Sequence, residues 1–479
     1  MLHWLILIVG TSLLVLRAGN LRKFLLVVIF TMPFNGVFIE AGQRVELFKV
    51  ASLLVLPLGI SRLQKLLGVR ELRLFVPFIL WVLWISILNV CYPPSYIFDA
   101  GLGFRSIALR SAVQIVLLIS RVVLIGLFLI SFTKSKDVWR SLQSLILATT
   151  VLATFGLLEQ VLHLVGVEIG GVFYNGINGE PTHLTFSAFG IEFKRIGSLA
   201  HEPKMLARWL IPSTVVLIFD SLRTGLLGGG KSRSRNLAIL HAISLLFTFS
   251  TSGYIIFTVS LFVPFFASIR DHGRKLKYGF VVFLMCIVVA FYVSKSGLIE
   301  KVVGEKFEQY GGLLQGGSDG PGWNFLQKNP TAIIWGSGWS MQGFYLPAFI
   351  QKSFNFVYEN YSDIGFGGFG VESGWLSLIL DVGVIGLCFF MFPLYATWHS
   401  SSLLLGSNQG ATKKEIDVES IVLLRCLLGC YLIGMIAYPL EMVGGVAITL
   451  GLLMCAIRVR SARRVISNMP KTGELVHNS

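Results

Sequence analysis

Runs of about 15 to 25 apolar residues recur along the chain from Leu5 to Ile457, and this recurrence constrains the fold more than any motif does. Segments of that length need either a very large core or a bilayer to bury them. Only 14% of the residues are charged and the mean hydropathy is +0.74, outside the range of water-soluble domains. The sequence therefore predicts an all-α, polytopic integral membrane protein that forms a single membrane domain over residues 1–479.

The runs fall near 3–16, 24–38, 47–59, 74–90, 112–132, 142–166, 205–222, 237–251, 253–268, 279–293, 372–395, 419–437 and 442–458. That predicts about 13 transmembrane helices, within a range of roughly 12–14. The stretch HWLILIVGTSLLVL lacks a basic n-region and reads as a first membrane helix, not as a cleavable signal. The six cysteines lie in or beside apolar runs without metal-type spacing, so they read as small core residues.

Assigning alternate loops to opposite sides separates the basic residues. Loops 17–23, 60–73, 133–141, 223–236, 269–278, 396–418 and the tail from 458 hold 25 of the 40 Lys plus Arg. The positive-inside rule makes that set cytoplasmic. Two large loops, 167–204 and 294–371, then face outward, away from ATP. The net charge of +15 reflects topology and contact with anionic membrane lipid, with no nucleic-acid partner.

One stretch points elsewhere. GLLGGGKS, Gly225 to Ser232, fits the phosphate-binding loop pattern G-x-x-x-x-G-K-[ST]. The mechanism behind that pattern needs a preceding strand and an α/β domain, whereas here it joins two apolar runs. A flexible basic loop is the simpler reading. Charges inside the runs also need an account, because each is costly in hydrocarbon unless paired or hydrated. Arg121 with Glu159, and Asp381 with Arg425, lie at comparable depths and are expected as buried structural pairs.

KRIGSLAHEPKMLAR, residues 194–208, concentrates charge where the first large loop meets an apolar run. A guanidinium offers bidentate hydrogen bonds to phosphate oxygens, and Lys204 and Arg208, four apart, would project from one face of a helix beginning at Pro203. Such a helix start adds partial positive charge and free amides. The alternative is that these side chains only snorkel toward lipid headgroups.

RIGSLAHEPKMLA resembles the R-x-x-G-x-x-x-E-P-x-x-x-A stretch of bacterial O-antigen and exopolysaccharide polymerases, matched by Arg195, Glu202, Pro203 and Ala207, with Ser198 in the place of the glycine. FTFSTSGYIIFTVSLF resembles the S-x-S-G turn of the same family through Ser250, Ser252 and Gly253. GWNFLQKNPTAIIWGSGW and VESGWLSLILDVGVIGLCFF resemble its last long outer loop and the helix that closes it, from Trp323 and Gly336 through Glu372, Gly374, Gly383 and Gly386. In this order the motifs resemble the O-antigen polymerase and ligase superfamily, and polymerases more than ligases.

The resemblance implies a glycosyltransferase-C-like membrane enzyme of the bacterial inner membrane, with its active site facing the periplasm. It implies polymerisation of undecaprenyl-diphosphate-linked repeat units for lipopolysaccharide O-antigen or exopolysaccharide, with a chain-length regulator and a flippase as partners. No cofactor is implied, and no D-x-D metal motif occurs in the sequence. Arg195 would stabilise the leaving diphosphate, and Glu202, Glu372 and His201 are candidate bases. Lys204, Arg208 and Lys328 join Arg195 as candidate diphosphate-binding residues. The family often carries an arginine early in the last long loop, where this chain has GGSDGPGW; Lys295, Lys301, Lys306 and Lys328 are candidate substitutes for it. Two other readings stay open: an O-antigen ligase transferring glycan to lipid A core, and a flippase or transporter of lipid-linked sugars, although no internal repeat is evident.

Overall fold

A computed structural model describes residues 2–34, 38–40, 44–92, 107–167, 185–188, 191–200, 202–268, 319–349, 370–406, 416–438 and 443–468, with isolated positions 279 and 284. The chain opens with α1 (Leu2–Arg17), α2 (Leu21–Thr31) and an antiparallel hairpin of β1 (Phe38–Glu40) and β2 (Arg44–Glu46). Next come α3 (Leu47–Ile60), α4 (Leu63–Leu67), a 3-10 turn over Arg70–Phe75, α5 (Val76–Cys91), α6 (Ile107–Ser131) and α7 (Ser135–Leu164). A second antiparallel hairpin, β3 (Thr185–Ala188) with β4 (Ile191–Lys194), precedes α8 (Pro203–Arg223), α9 (Lys231–Phe247), α10 (Thr251–Ser260) and α11 (Val263–Ser268). Three short helices follow, α12 (Gly320–Lys328), α13 (Thr331–Trp335) and α14 (Gln342–Tyr345), then α15 (Gly374–Gly406), α16 (Ile416–Gly434) and α17 (Val443–Asn468).

The structure is almost entirely helical, as expected of an all-α membrane protein. Every expected apolar run has most of its residues on a helix except 279–293, of which only positions 279 and 284 are described. Among the described residues six helices are long and apolar enough to cross a membrane; α1, α3 and the α10–α11 stretch are apolar but shorter. These features make the chain a multi-pass membrane protein.

Helix ends follow local chemistry. Asn20 caps α2 by accepting the Lys23 amide at 3.3 Å, and Ser250 caps α10 by accepting the Gly253 amide at 3.2 Å. Pro203 opens α8, where its fixed φ suits a first turn and its missing N–H leaves nothing unsatisfied.

Burial ranks the long helices. The most apolar part of α8 is 83% buried, against 28% for α5 with its preceding turn, so α8 is central and α5 faces the lipid. Inside, the His241 ring bridges three helices: Nε2 lies 3.0 Å from Thr150 Oγ1 on α7, and Nδ1 lies 3.0 Å from Ser213 Oγ on α8. Two hydroxyls thus satisfy a buried imidazole that no solvent reaches.

At one end of the bundle, ion pairs join the predicted basic loops. Arg223 forks onto Glu419 at 3.0 and 3.1 Å, Arg463 Nη1 lies 2.7 Å from Asp417, and Arg22 lies 3.9 Å from Asp137. These contacts gather the ends of α8 and α17 and the starts of α2, α7 and α16. The starts of α8 and α15 and the end of α16 meet at the opposite end.

The expected pair of Asp381 and Arg425 does not form. Asp381 Oδ1 accepts from Gln342 Nε2 at 3.1 Å, and the Arg425 guanidinium lies 4.2 Å from the centre of the Trp398 ring. Matched depth places two charges at one level but leaves their directions around each helix unspecified. A Gln from the last large loop reaches the carboxylate first, and an aromatic face receives the cation.

Helix α15 is broken at Gly383, whose φ of 67° and ψ of −178° are not helical. A Cβ there would lie 2.2 Å from the Ile334 carbonyl oxygen, so only glycine fits where α13 crosses. The break frees carbonyls that other segments take up: Ser337 N donates to Leu380 O at 2.7 Å, Gly338 N to Asp381 O at 3.0 Å, and Trp81 Nε1 to Val382 O at 2.8 Å.

Candidate functional site

The residues that carry the sequence motifs lie at the end away from the basic loops, in contacts among α7, α8 and α10 and in one contact between the start of α8 and the residue Glu372 before α15. β4 ends on Lys194, and Arg195 follows it directly. Along a strand, side chains alternate, so Lys194 points inward and its Nζ lies 3.7 Å from Glu159 Oε1 on α7. Arg195 takes the opposite direction and donates from Nε to the Thr248 carbonyl at 3.3 Å. Backbone pairing adds to this, with Ile196 N donating to Phe247 O at 3.1 Å.

The turn after Arg195 is tightly held. Glu159 Oε2 accepts the amides of Gly197 and Ser198 at 3.3 and 3.1 Å, and Ser198 Oγ donates to Leu152 O at 2.8 Å. Ser198 sits at φ 52°, in the left-handed region that favours glycine. A glycine pattern at this position is therefore a backbone requirement, and serine meets it here by bonding twice to α7. The facing turn carries a second left-handed residue, Phe249 at φ 47°.

Glu202 precedes α8 with extended backbone and exposed side chain, and that side chain does not cap the helix. His201 lies outside the described residues, as do Lys295, Lys301 and Lys306. Lys204, in the first turn of α8, forms a close ion pair with Glu372, 168 residues away. Glu372 is 49% exposed and Lys204 22%, so a solute reaches both.

Behind this pair lies a residue that motif reading missed. Asp319 Oδ1 accepts the amides of Glu372 and Ser373 at 2.7 and 3.0 Å, fixing the backbone just before α15. Burial raises the Asp319 pKa above its ordinary value; the two amide bonds and the Lys204 ammonium oppose that, and the Glu372 carboxylate adds to it. Only an acid at the start of GPGW, one position before a helix, hinted at a capping role.

Arg208 departs from the expected pairing with Lys204. It lies one turn deeper and is 1% exposed, with its guanidinium 5.3 Å from the Trp209 ring and its charge bearing on the buried Tyr431 and Tyr438. A spacing of four does put both residues on one helix face, but α8 descends into the core within that turn, so only Lys204 meets the surface. Lys328 ends α12 nine residues beyond Asp319, its ammonium 5.4 Å from the Phe349 ring, and it does not join the Lys204 group.

Small residues let the segments approach. A Cβ on Gly253 would lie 2.9 Å from Ala207 Cβ, so the S-x-S-G turn and the E-P-x-x-x-A helix touch through their smallest members. At α15, Trp375 Nε1 donates to Leu432 O at 3.0 Å.

The phosphate-loop lookalike is a helix-to-helix turn at the opposite end. No strand precedes it, since α8 runs into it. The Asp220 carboxylate accepts the Leu227 amide at 3.1 Å and the Ser234 hydroxyl at 2.7 Å, and Ser234 Oγ accepts the Gly228 amide at 3.0 Å. The amides that would cradle a phosphate thus serve the protein's own side chains, and Lys231 and Ser232 are exposed outside the turn.

No protein-family model and no curated protein matches this chain.

The arrangement offers an ammonium, a helix start and a reachable carboxylate at one place, with the Arg195 guanidinium on the segment that leads into the same helix. Such a group can hold an anionic headgroup at membrane level and accept a proton next to it.

Proposed function

We propose that this protein is a metal-independent glycosyltransferase that polymerises undecaprenyl-diphosphate-linked repeat units at the outer face of a bacterial inner membrane. The observation that carries this reading is the meeting of three separated segments, 194–208, 247–253 and 319 with 372–375, at one end of the bundle. Apart from Asp319, they are stretches that resemble the polymerase motifs. Their meeting end lies opposite the basic loops, which the positive-inside rule assigns to the cytoplasm.

In the proposed step an acceptor sugar hydroxyl attacks the donor's anomeric carbon. The new carbon–oxygen bond replaces the bond to the lipid diphosphate, which leaves with the electron pair, and the hydroxyl proton passes to a carboxylate. Arg195 and Lys204 balance the charge on the leaving group, with Arg208 adding positive potential from below. Glu372 is the preferred base because it stands beside Lys204. Glu202 and His201 remain neighbouring candidates.

The deciding experiment is the polysaccharide ladder of a deletion strain. Loss of polymer, with single repeat units still attached to core, supports a polymerase. Long lipid-linked polymer that never reaches the core identifies a ligase instead. The sequence favours the polymerase because residues 294–371 contain no histidine, which ligases of the superfamily typically carry there. A transporter reading draws on the break at Gly383, since broken helices line many transport sites. Here the freed carbonyls are taken by Ser337, Gly338 and Trp81, which argues against an open ion site. Reporter fusions after Gly230 and Gln409 are expected to read cytoplasmic, and fusions within 170–190 and 310–360 periplasmic.

A further inference from the structure

The candidate site carries an anion of its own. The Glu372 carboxylate sits on the Lys204 ammonium in the first turn of α8, the position where helix polarity and the ammonium together draw negative charge. Asp319 holds the backbone of Glu372 through two amides, so the carboxylate is delivered to Lys204 by a fixed support instead of wandering there. The same ammonium is the cation that the proposed reaction assigns to the donor's diphosphate, and the same carboxylate is its preferred base. One group cannot serve both partners fully at once.

Resting on that reading of the site, we infer that Glu372 is a built-in competitor for the donor headgroup. It holds Lys204 in the absence of donor and is displaced when a lipid diphosphate docks, so the base is released from its cation only with donor bound. A diphosphate outcompetes a single carboxylate because it carries more charge and engages Arg195 at the same time. Displacement frees the Glu372 carboxylate oxygens from the Lys204 ammonium, so they can take the acceptor's proton. Donor binding then precedes activation of the acceptor, and an empty enzyme presents a neutralised pair to water.

The test is a double-mutant cycle on the full-length protein in nanodiscs, with undecaprenyl diphosphate as the probe and undecaprenol as the uncharged control. Glu372→Gln is expected to tighten binding of the diphosphate by about fivefold at most, the scale set by an ion pair this exposed. Glu372→Asp, which keeps the charge but shortens the reach, is expected to tighten it as well. In a Lys204→Met background, where binding itself is weaker, neither change is expected to alter the affinity.

Unchanged or weaker binding in Glu372→Gln overturns the inference, as does a gain of equal size with and without Lys204. Either of these leaves the site reading intact, provided that the parent protein binds the diphosphate over undecaprenol and Arg195→Ala loses that preference. A parent protein that shows no preference for the diphosphate overturns the site reading and the inference together. Monodisperse elution of each variant separates loss of binding from loss of fold.

Discussion

Glu159 and Ser198 lie 39 residues apart in sequence, and Glu159 Oε2 accepts the Ser198 amide at 3.1 Å inside the bundle. The same carboxylate takes the Gly197 amide and lies 3.7 Å from the Lys194 ammonium, so one buried group pins both sides of Arg195. Removing one partner of a buried pair costs about 3–5 kcal/mol when the remaining charge keeps no substitute. Glu159→Leu is therefore expected to reduce membrane abundance strongly. Glu159→Gln keeps an acceptor for the amides and is expected to be milder. Quantitative immunoblotting of membrane fractions checks both.

Arg195, the residue after β4, turns its guanidinium toward the Thr248 carbonyl. Arg195→Ala is expected to lower polymer formation about a hundredfold at normal abundance, in keeping with loss of one charge-stabilising donor. Arg195→Lys is expected to recover little, because lysine keeps the charge but loses the planar fork. A ladder assay beside a membrane blot separates activity from folding, and full activity in the alanine variant would reduce the stretch to a lipid anchor.

The contact between Gly253 and Ala207 makes a reciprocal prediction. A methyl group at Gly253 would sit 2.9 Å from Ala207 Cβ and 3.1 Å from Ser250 Cβ. Overpacking of this kind costs about 1–3 kcal/mol. Gly253→Ala is expected to lower the apparent Tm in detergent, and adding Ala207→Gly is expected to restore part of it. Failure of the second change to help would mean that α8 and α10 do not pack through this pair.

Asp319 gives a pH signature. Its folded pKa lies above the unfolded value of 3.8, so between the two the folded state binds more protons than the unfolded chain. The sign follows from linkage: the contribution of this group is greatest at low pH and is lost as pH rises through the raised value. The apparent Tm of the parent protein is expected to fall relative to that of Asp319→Asn as pH rises through this window. Asparagine keeps an acceptor for the Glu372 and Ser373 amides without the charge. A difference that does not change with pH would remove Asp319 from this role.

The helices were legible in the sequence because hydropathy is a one-dimensional signal, and both the helix start at Pro203 and the cap at Ser250 follow from local chemistry. The partners were not. Lys204 meets Glu372 across 168 residues, and which carboxylate faces which cation depends on rotation about each helix, which charge spacing at similar depth does not encode. Arg208 shows the same limit, since the spacing gave its face while its burial depended on how α8 sinks into the bundle. The β3–β4 hairpin left a weak trace, with a glycine at 190 between two short alternating runs, overshadowed by the surrounding apolar pattern.

The break at Gly383 also bears on how the site meets the lipid. As one straight rod the 33 residues of α15 would extend about 50 Å, well beyond a hydrocarbon layer of about 30 Å. Divided at Gly383, the part from 384 to 406 covers about 35 Å and can span with some tilt. The part from 374 to 382 packs with α13 and the segment 337–338 instead of standing clear of the membrane. The position of Glu372 along the bundle is thus set by where this helix bends, which makes bilayer thickness a determinant of where the Lys204 and Glu372 pair lies relative to the membrane.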